Sequence, residues 1–266
     1  MTGGSASGDG TGGARTTALD PALAAELAGA RVVDLPLRGE WMAPHTPASR
    51  IPSHGTDILG QRYAFDFVRF DPRRGAPDHP HGGPLSALTG IPTRDCPGWG
   101  EPIHAPLDGE VVAAHDGIAE PSRVVPLRQL ALVIRNGLTF RPRPEKLPGI
   151  LGNHVILRCG DVYAAFAHIA PATIAVKVGE AVRQGDVIGR VGTTGNSTMP
   201  HLHFQLMDDP DPLVARGVPC AFRALDVEDP DGGWRRVEAS IPRSSERFRW
   251  ADAATPADGG EVAGSA

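Results

Sequence analysis

The chain has 266 residues, 41% of them hydrophobic and 21% charged, which is enough to bury the core of one catalytic-sized domain. Its 33 glycines and 26 prolines argue against an all-helical bundle, because helix interiors tolerate both residues badly. A formal net charge of −5 excludes a generally basic surface for nucleic acid. No apolar run approaches the roughly 18 residues of a membrane span, so membrane insertion is excluded as well.

Both ends of the chain are poor in large apolar residues. Residues 1–17 and 251–266 are therefore predicted to be disordered tails around a single domain over residues 18–250. The N-terminal run lacks the basic start and apolar stretch of a secretory signal, so the chain as given is expected in the cytoplasm. An export signal missing from the given sequence stays open as the alternative.

One short helix is predicted near the N-terminus, in the pattern from Leu19 to Arg31. Asp20 can cap this helix, Pro21 suits its first turn and Gly29 weakens its end.

The segments that follow are brief, apolar and rich in β-branched or aromatic residues, and Gly, Pro and Asp separate them. They predict a mainly β fold, with an antiparallel sheet over a core at residues 52–207 and a hairpin closed at Gly160-Asp161. Two stretches, about 71–99 and 117–150, look like insertions into that sheet. The predicted strands are 64–70, 109–115, 130–135, 154–159, 162–169, 186–192 and 201–207.

Several histidines and one carboxylate fall where strands or turns would present them. His201 and His203 are two positions apart in a predicted strand, so their side chains share one face. His168 ends another strand, and Asp66 lies between aromatic residues, where a lone carboxylate needs a partner. His54 precedes Asp66 in a Pro-Ser-His-Gly-Thr turn. A set of histidine and aspartate ligands with one open position is a common catalytic zinc arrangement.

The remaining histidines are interpreted without a role in such a site. His79 and His81 repeat the two-residue spacing, but they sit among Gly and Pro, where no regular strand would align their rings. His45 is interpreted as a loop residue. His104, His115 and His154 fall in predicted strands and are interpreted as surface residues or as residues whose hydrogen bonds are satisfied within the fold.

From Gly100 to Leu206, the order of motifs resembles the catalytic domain of the LytM/lysostaphin-type zinc metallopeptidases, the M23 peptidase family. The resemblance covers more than a hundred residues, and it implies an antiparallel core of the duplicated-hybrid-motif type. The stretches that carry it are GEPIHAP (100–106), DGEVV (108–112), GNHVIL (152–157), FAHI (166–169), GDVIGRVG (185–192) and TGNSTMPHLHF (194–204).

The resemblance implies that His203 is a zinc ligand and that His168 and His201 are catalytic histidines that do not bind the ion. The family's first metal motif is a histidine usually followed four positions later by an aspartate, and this chain departs from that spacing. The stretch around Asp66 looks like the form with a longer gap, so His54 and Asp66 are predicted as ligands, with Asp57 in reserve. One zinc ion per chain is implied.

The expected function is zinc-dependent hydrolysis of peptide bonds in short Gly- or Ala-containing or peptidoglycan-type peptides. One of the two catalytic histidines would take the proton of a zinc-activated water, and which one does so is open. A catalytically inactive M23-fold protein that binds or activates a partner is the alternative. A lipoyl-type carrier is disfavoured because residues 178–266 contain no lysine for attachment. No pattern indicates the oligomeric state.

Overall fold

Strands dominate the described part of the chain. The computed structural model describes residues 20–71, 76–77, 89–125, 127–128, 131–132, 134 and 143–251. The strands are β1 (Arg31–Val33), β2 (Glu40–His45), β3 (Phe65–Asp71), β4 (Ala76–Pro77), β5 (Ile91–Pro92), β6 (Pro102–His104), β7 (Gly109–His115), β8 (Arg123–Val124), β9 (Asn153–Cys159), β10 (Val162–Ile169), β11 (Ala181–Val182), β12 (Val187–Arg190), β13 (Leu202–Met207), β14 (Gly217–Val218), β15 (Cys220–Glu228), β16 (Trp234–Ser240) and β17 (Arg247–Trp250).

The helices are short. Helix α1 spans Pro21–Glu26, and Asp20 caps it by accepting a hydrogen bond from the backbone N–H of Ala22 at 2.9 Å. The predicted helix is confirmed, but it ends early because Gly29 adopts a φ of +79° and the chain enters β1. Helix α2 spans Leu147–Leu151, and 3-10 segments cover Ile58–Tyr63, Thr93–Asp95 and Pro144–Lys146. Among the described residues, no helix has the length and apolar character that a membrane span requires.

One large sheet organises the molecule and confirms the mainly β prediction. Its strands run in the order β1-β15-β17-β2-β3-β13-β10-β9-β7-β11. Along this path the pairs are antiparallel except for β1 with β15. The predicted hairpin joins β9 to β10, where Val162 pairs with Cys159 across Gly160-Asp161. The sheet reaches beyond residues 52–207, since β1, β2 and β15–β17 belong to it.

Aromatic side chains fill the core beneath the centre of this sheet. Phe65, Phe166, Phe204 and Phe222 are fully buried. The ring centroids of Phe65 and Phe222 lie 5.1 Å apart, and those of Phe166 and Phe204 lie 5.3 Å apart. Burial stabilises each ring by about 1.5–3 kcal/mol. This packing fixes β3, β10 and β13 next to one another, and those strands carry most of the predicted site.

Two predictions fall in or beside the insertions. The strand predicted over residues 130–135 is wrong where the structure describes it, because residues 131, 132 and 134 are helical. Short apolar runs do not distinguish strand from helix, and Leu127, Ala131 and Ile134 follow the helical spacing of four and three positions. His79 and His81 lie outside the described residues.

Candidate active site

Strand register places Asp66 at the centre of a histidine cluster. On one side, β3 pairs with β2, and Asp66 faces His45. On the other side, β3 pairs with β13, and Asp66 faces His203. The next pair in the sheet sets His203 opposite Ala167, the residue before His168 on β10. The side chains of the site are therefore arranged in a row across the four adjacent strands β2, β3, β13 and β10.

Asp66 contacts four imidazole rings. Its Oδ2 lies 2.8 Å from Nδ1 of His45 and 3.0 Å from Nε2 of His54. Its Oδ1 lies 2.9 Å from Nδ1 of His203 and 3.5 Å from Nε2 of His201. Burial raises the pKa of the Asp66 carboxyl. When the surrounding imidazoles are protonated, the charges of His54 and His201 and the hydrogen bonds from His201 and His203 outweigh burial and hold that pKa well below its usual range.

Ser53 fixes the ring of His54. The Ser53 hydroxyl donates to the backbone carbonyl of Gln61 at 3.3 Å, so it accepts from Nδ1 of His54, which lies 3.0 Å away. With the proton on Nδ1, the lone pair of His54 is on Nε2, which faces Asp66. Burial lowers the pKa of His54, which favours this neutral form.

Gln205 fixes the ring of His203 in the same way. The side-chain amide of Gln205 donates to the backbone carbonyl of Leu59 at 2.7 Å, which identifies its Oε1 as the acceptor. Nε2 of His203 lies 2.9 Å from that oxygen and donates to it. Nδ1 of His203 is therefore the nitrogen left to face Asp66. His203 and Gln205 alternate along β13, which His201 immediately precedes, and this period-two spacing is the sequence signal that could have identified Gln205.

His168 lies at a distortion of β10. The register of β10 against β9 shifts between Phe166 and Ile169, and His168 adopts a φ of +63°. Such a conformation costs a non-glycine residue roughly 1–2 kcal/mol. Its Nδ1 donates to the carbonyl of Thr194 at 2.8 Å, which leaves Nε2 free for chemistry. Burial and the neighbouring His201 lower the pKa of His168 well below its usual value.

Two glycines allow the Thr194 loop to approach α2. Gly195 has a φ of +74°, and a Cβ there would lie 2.4 Å from the backbone nitrogen of Gly152. Gly152, at the end of α2, has a φ of +64° and would itself clash with Thr194 if it carried a Cβ. The close contact of these loops sets the position of the carbonyl that holds His168.

His201 completes the second imidazole pair. Its Nδ1 donates to the carbonyl of Met199 at 2.8 Å and lies 3.1 Å from the hydroxyl of Ser197, so its Nε2 is the nitrogen that faces Oδ1 of Asp66 at 3.5 Å. The rings of His168 and His201 are 4.7 Å apart between centroids. Burial lowers the pKa of His201 and Asp66 raises it, and the net shift is upward.

The donor set fits a bound cation. Ser53 and Gln205 leave lone pairs on Nε2 of His54 and Nδ1 of His203, and both nitrogens face the oxygens of Asp66 at hydrogen-bond distance. A carboxylate only accepts, so acceptor would face acceptor unless a proton or a metal ion lies between them. Two imidazoles and one carboxylate are ligands that Zn²⁺ prefers, and hydrogen-bonded second nitrogens are typical of ligating histidines.

A cleft of about 220 Å³ opens onto this cluster. Its walls combine the histidines with the apolar side chains of Leu59, Ile150 and Leu151 and the polar residues Asn196 and Thr198. His168, His201 and His203 are each less than 10% exposed, so the reactive nitrogens lie at the base of the cleft.

The structure brings together all five residues predicted from the sequence, which are His54, Asp66, His168, His201 and His203. Their division into ligands and catalytic groups stays a prediction. The reserve carboxylate Asp57 is engaged elsewhere, because Arg62 donates to both of its oxygens at 2.7 and 2.8 Å. The interpretation of His45 as a loop residue is wrong. His45 ends β2, and with His54 and Asp66 it forms a group whose ligand atoms all lie within 4.8 Å of one another.

One segment of the chain matches a known peptidase family. Residues 136–214 match the sequence model of Peptidase family M23, so the resemblance inferred from the sequence is confirmed. The matched segment contains His168, His201 and His203. His54 and Asp66 lie before it.

Named relatives match over short segments. The peptidoglycan DD-endopeptidase ShyC of Vibrio cholerae is 40% identical over 57 residues, which are 21% of this chain and 13% of the relative. Lysostaphin of Staphylococcus simulans is 38% identical over 69 residues, 23% of this chain and 14% of the relative. The chain thus spans less than a sixth of the length of either curated relative.

Among solved structures, the catalytic domain of lysostaphin from Staphylococcus simulans is 20% identical, with a TM-score of 0.33. The alignment covers 68% of this chain and 88% of that chain.

Proposed function

We propose that this protein is a zinc-dependent peptidase that hydrolyses short Gly- or Ala-containing or peptidoglycan-type peptides. The observation that carries the proposal is the pair of lone-pair nitrogens, Nε2 of His54 and Nδ1 of His203, held on the two oxygens of Asp66. The match to the M23 peptidases and the names of the matched relatives support the same class of reaction.

In this proposal, His54, Asp66 and His203 hold one zinc ion. The ion, when bound, acidifies a water molecule and polarises the scissile carbonyl. The protein supplies the surroundings. Gln205 and Ser53 accept from the outer nitrogens of His203 and His54, which points the other nitrogen of each ring at Asp66, and strand pairing sets the Asp66 carboxylate opposite His203.

Proton transfer falls to His168 and His201. Each ring is anchored through Nδ1 to a backbone carbonyl, of Thr194 or Met199, so each presents Nε2 to the cleft in a fixed orientation. A ring held in this way accepts or donates a proton at Nε2 without turning, which general acid–base catalysis requires. One of the two, in its neutral form, accepts the proton of the water at Nε2 and passes it to the leaving amine. The other, protonated at both nitrogens, donates a hydrogen bond from Nε2 to the oxyanion.

The lining of the cleft suits a peptide substrate. Leu59 and Leu151 provide apolar walls, and Asn196 and Thr198 provide polar groups for a peptide backbone.

The test is cleavage of defined peptides by zinc-loaded protein, followed by mass spectrometry. Pentaglycine, an alanine-containing cross-linked muropeptide and a bulky peptide such as a Phe-Leu repeat are the substrates. The proposal predicts cleavage of at least one of the first two and none of the third. If zinc binds and all three stay intact, the alternative of an inactive M23-fold binding protein replaces the peptidase.

A further inference from the structure

His45 lies outside every motif that identified the site, yet it contacts the central carboxylate. Its Nδ1 is 2.8 Å from Oδ2 of Asp66, closer than the 3.0 Å of His54. The rings of His45 and His54 are 4.9 Å apart between centroids. Any ion held between His54 and Asp66 would therefore lie beside a third imidazole.

The local backbone directs His45 toward this position. The register of β2 against β3 shifts between Met42 and His45, and the shift sets His45 opposite Asp66. Pro44 lies in this interval, and proline cannot donate to the sheet ladder, so it favours an irregular strand edge. Such irregularities commonly re-aim a side chain beside a functional site.

The three ligand atoms are close enough for a single ion. Those of His45, His54 and Asp66 lie within 4.8 Å of one another. Tetrahedral zinc with bonds of about 2.1 Å needs its ligand atoms roughly 3.4 Å apart. The distances from Oδ2 of Asp66 to the nitrogens of His45 and His54, 2.8 and 3.0 Å, are close to that spacing. His203 approaches the same carboxylate from the opposite strand.

We infer that His45 is a fourth protein ligand of the metal centre, which would then comprise three imidazoles and one carboxylate. The inference rests on the zinc site of the proposed function. The side chain of His45 is 50% exposed, against 15% for His54 and 10% for His203, so it occupies the solvent side of the centre. Catalytic zinc keeps a position for water. His45 is therefore the ligand that water or substrate displaces.

The experiment detects metal–nitrogen bonds one residue at a time. Protein with ¹⁵N-labelled histidines is stripped with chelator and loaded with one equivalent of ¹¹³Cd²⁺ as a zinc substitute. Long-range ¹H–¹⁵N spectra then show splitting by cadmium at each imidazole nitrogen that binds the ion. The inference predicts three split nitrogens in the parent, and one of them, assigned to His45, is absent in His45→Ala.

Two further variants separate a ligand from a residue that only holds Asp66. His45→Gln keeps a side-chain donor near the carboxylate, so it would restore zinc affinity if His45 acted only through that hydrogen bond. The inference instead predicts that both His45 variants weaken zinc binding by at least about tenfold. His104→Ala, which removes another strand histidine, serves as the control and should leave affinity and splitting unchanged.

The outcomes distinguish this inference from the proposed function. Cadmium bound with no splitting at His45, or full affinity in His45→Gln, overturns the role of His45 and leaves the zinc peptidase intact. Failure of the parent to bind either cadmium or zinc overturns the proposed function and this inference with it.

Discussion

Nδ1 of His203 lies 2.9 Å from Oδ1 of Asp66, although 137 positions separate these residues in the sequence. The contact exists because β3 and β13 are neighbours in the sheet and their register sets the two residues directly opposite each other. Phe65 and Phe204, paired beside them, are fully buried and hold that register in the core.

Gln205 is predicted to control metal affinity through the ring of His203. Gln205→Leu removes the acceptor for Nε2, so the ring loses its orientation, and zinc affinity should fall about 10- to 100-fold. Gln205→Glu keeps an acceptor and should lose less. Competition with a chromogenic chelator measures both, and Gln184→Leu, on the exposed surface, is the matched control. Equal affinity in parent and Gln205→Leu would show that the contact does not position His203.

His168 and His201 are predicted to act on protons and not on the ion. His168→Ala and His201→Ala should each keep about one zinc per chain and lose roughly 100- to 10,000-fold in turnover. The variant that lacks the general base should also lose the acidic limb of the pH–rate profile. Loss of zinc from His201→Ala would instead identify His201 as a ligand.

Acid is predicted to destabilise the metal-free protein through His168. Because burial lowers the pKa of His168 well below its usual value, the unfolded state binds more protons as the pH falls through about 6.5. The free energy of unfolding should therefore decrease as the pH falls from that value. His168→Gln should flatten this dependence in urea titrations with chelator. His201, whose raised pKa acts in the opposite direction, is present in both proteins. If the free energy of unfolding depended on pH equally in the parent and in His168→Gln, this role of His168 would be contradicted.

Gly195 is predicted to be required for the position of Thr194 and hence of His168. In Gly195→Ala the new Cβ would meet the Gly152 backbone at 2.4 Å, so the loops must separate and the Thr194 carbonyl must shift. Turnover should fall while zinc content stays unchanged. Gly179→Ala is the matched control, since Gly179 also has a positive φ but has no atom within 4 Å of the added Cβ. If both variants lost the same turnover, backbone strain alone would explain the loss.

Local patterns predicted most of the strands and the side chains of the cluster. Alternation in a strand placed His201 and His203 on one face, and the need of a buried carboxylate for a partner pointed to Asp66. His45 was missed because the strand irregularity after Met42 depends on the pairing of β2 with β3. The pattern of neighbouring residues carries no information about that pairing. The domain boundaries and the cytoplasmic location stay predictions.

Metal content tests the central claim most directly. Protein purified without chelator is analysed for zinc by plasma mass spectrometry, together with Asp66→Ala and His203→Ala. The account predicts about one zinc per chain in the parent and its loss from both variants, with the sheet intact by circular dichroism. A folded parent that contains no zinc and takes none up on addition would contradict it.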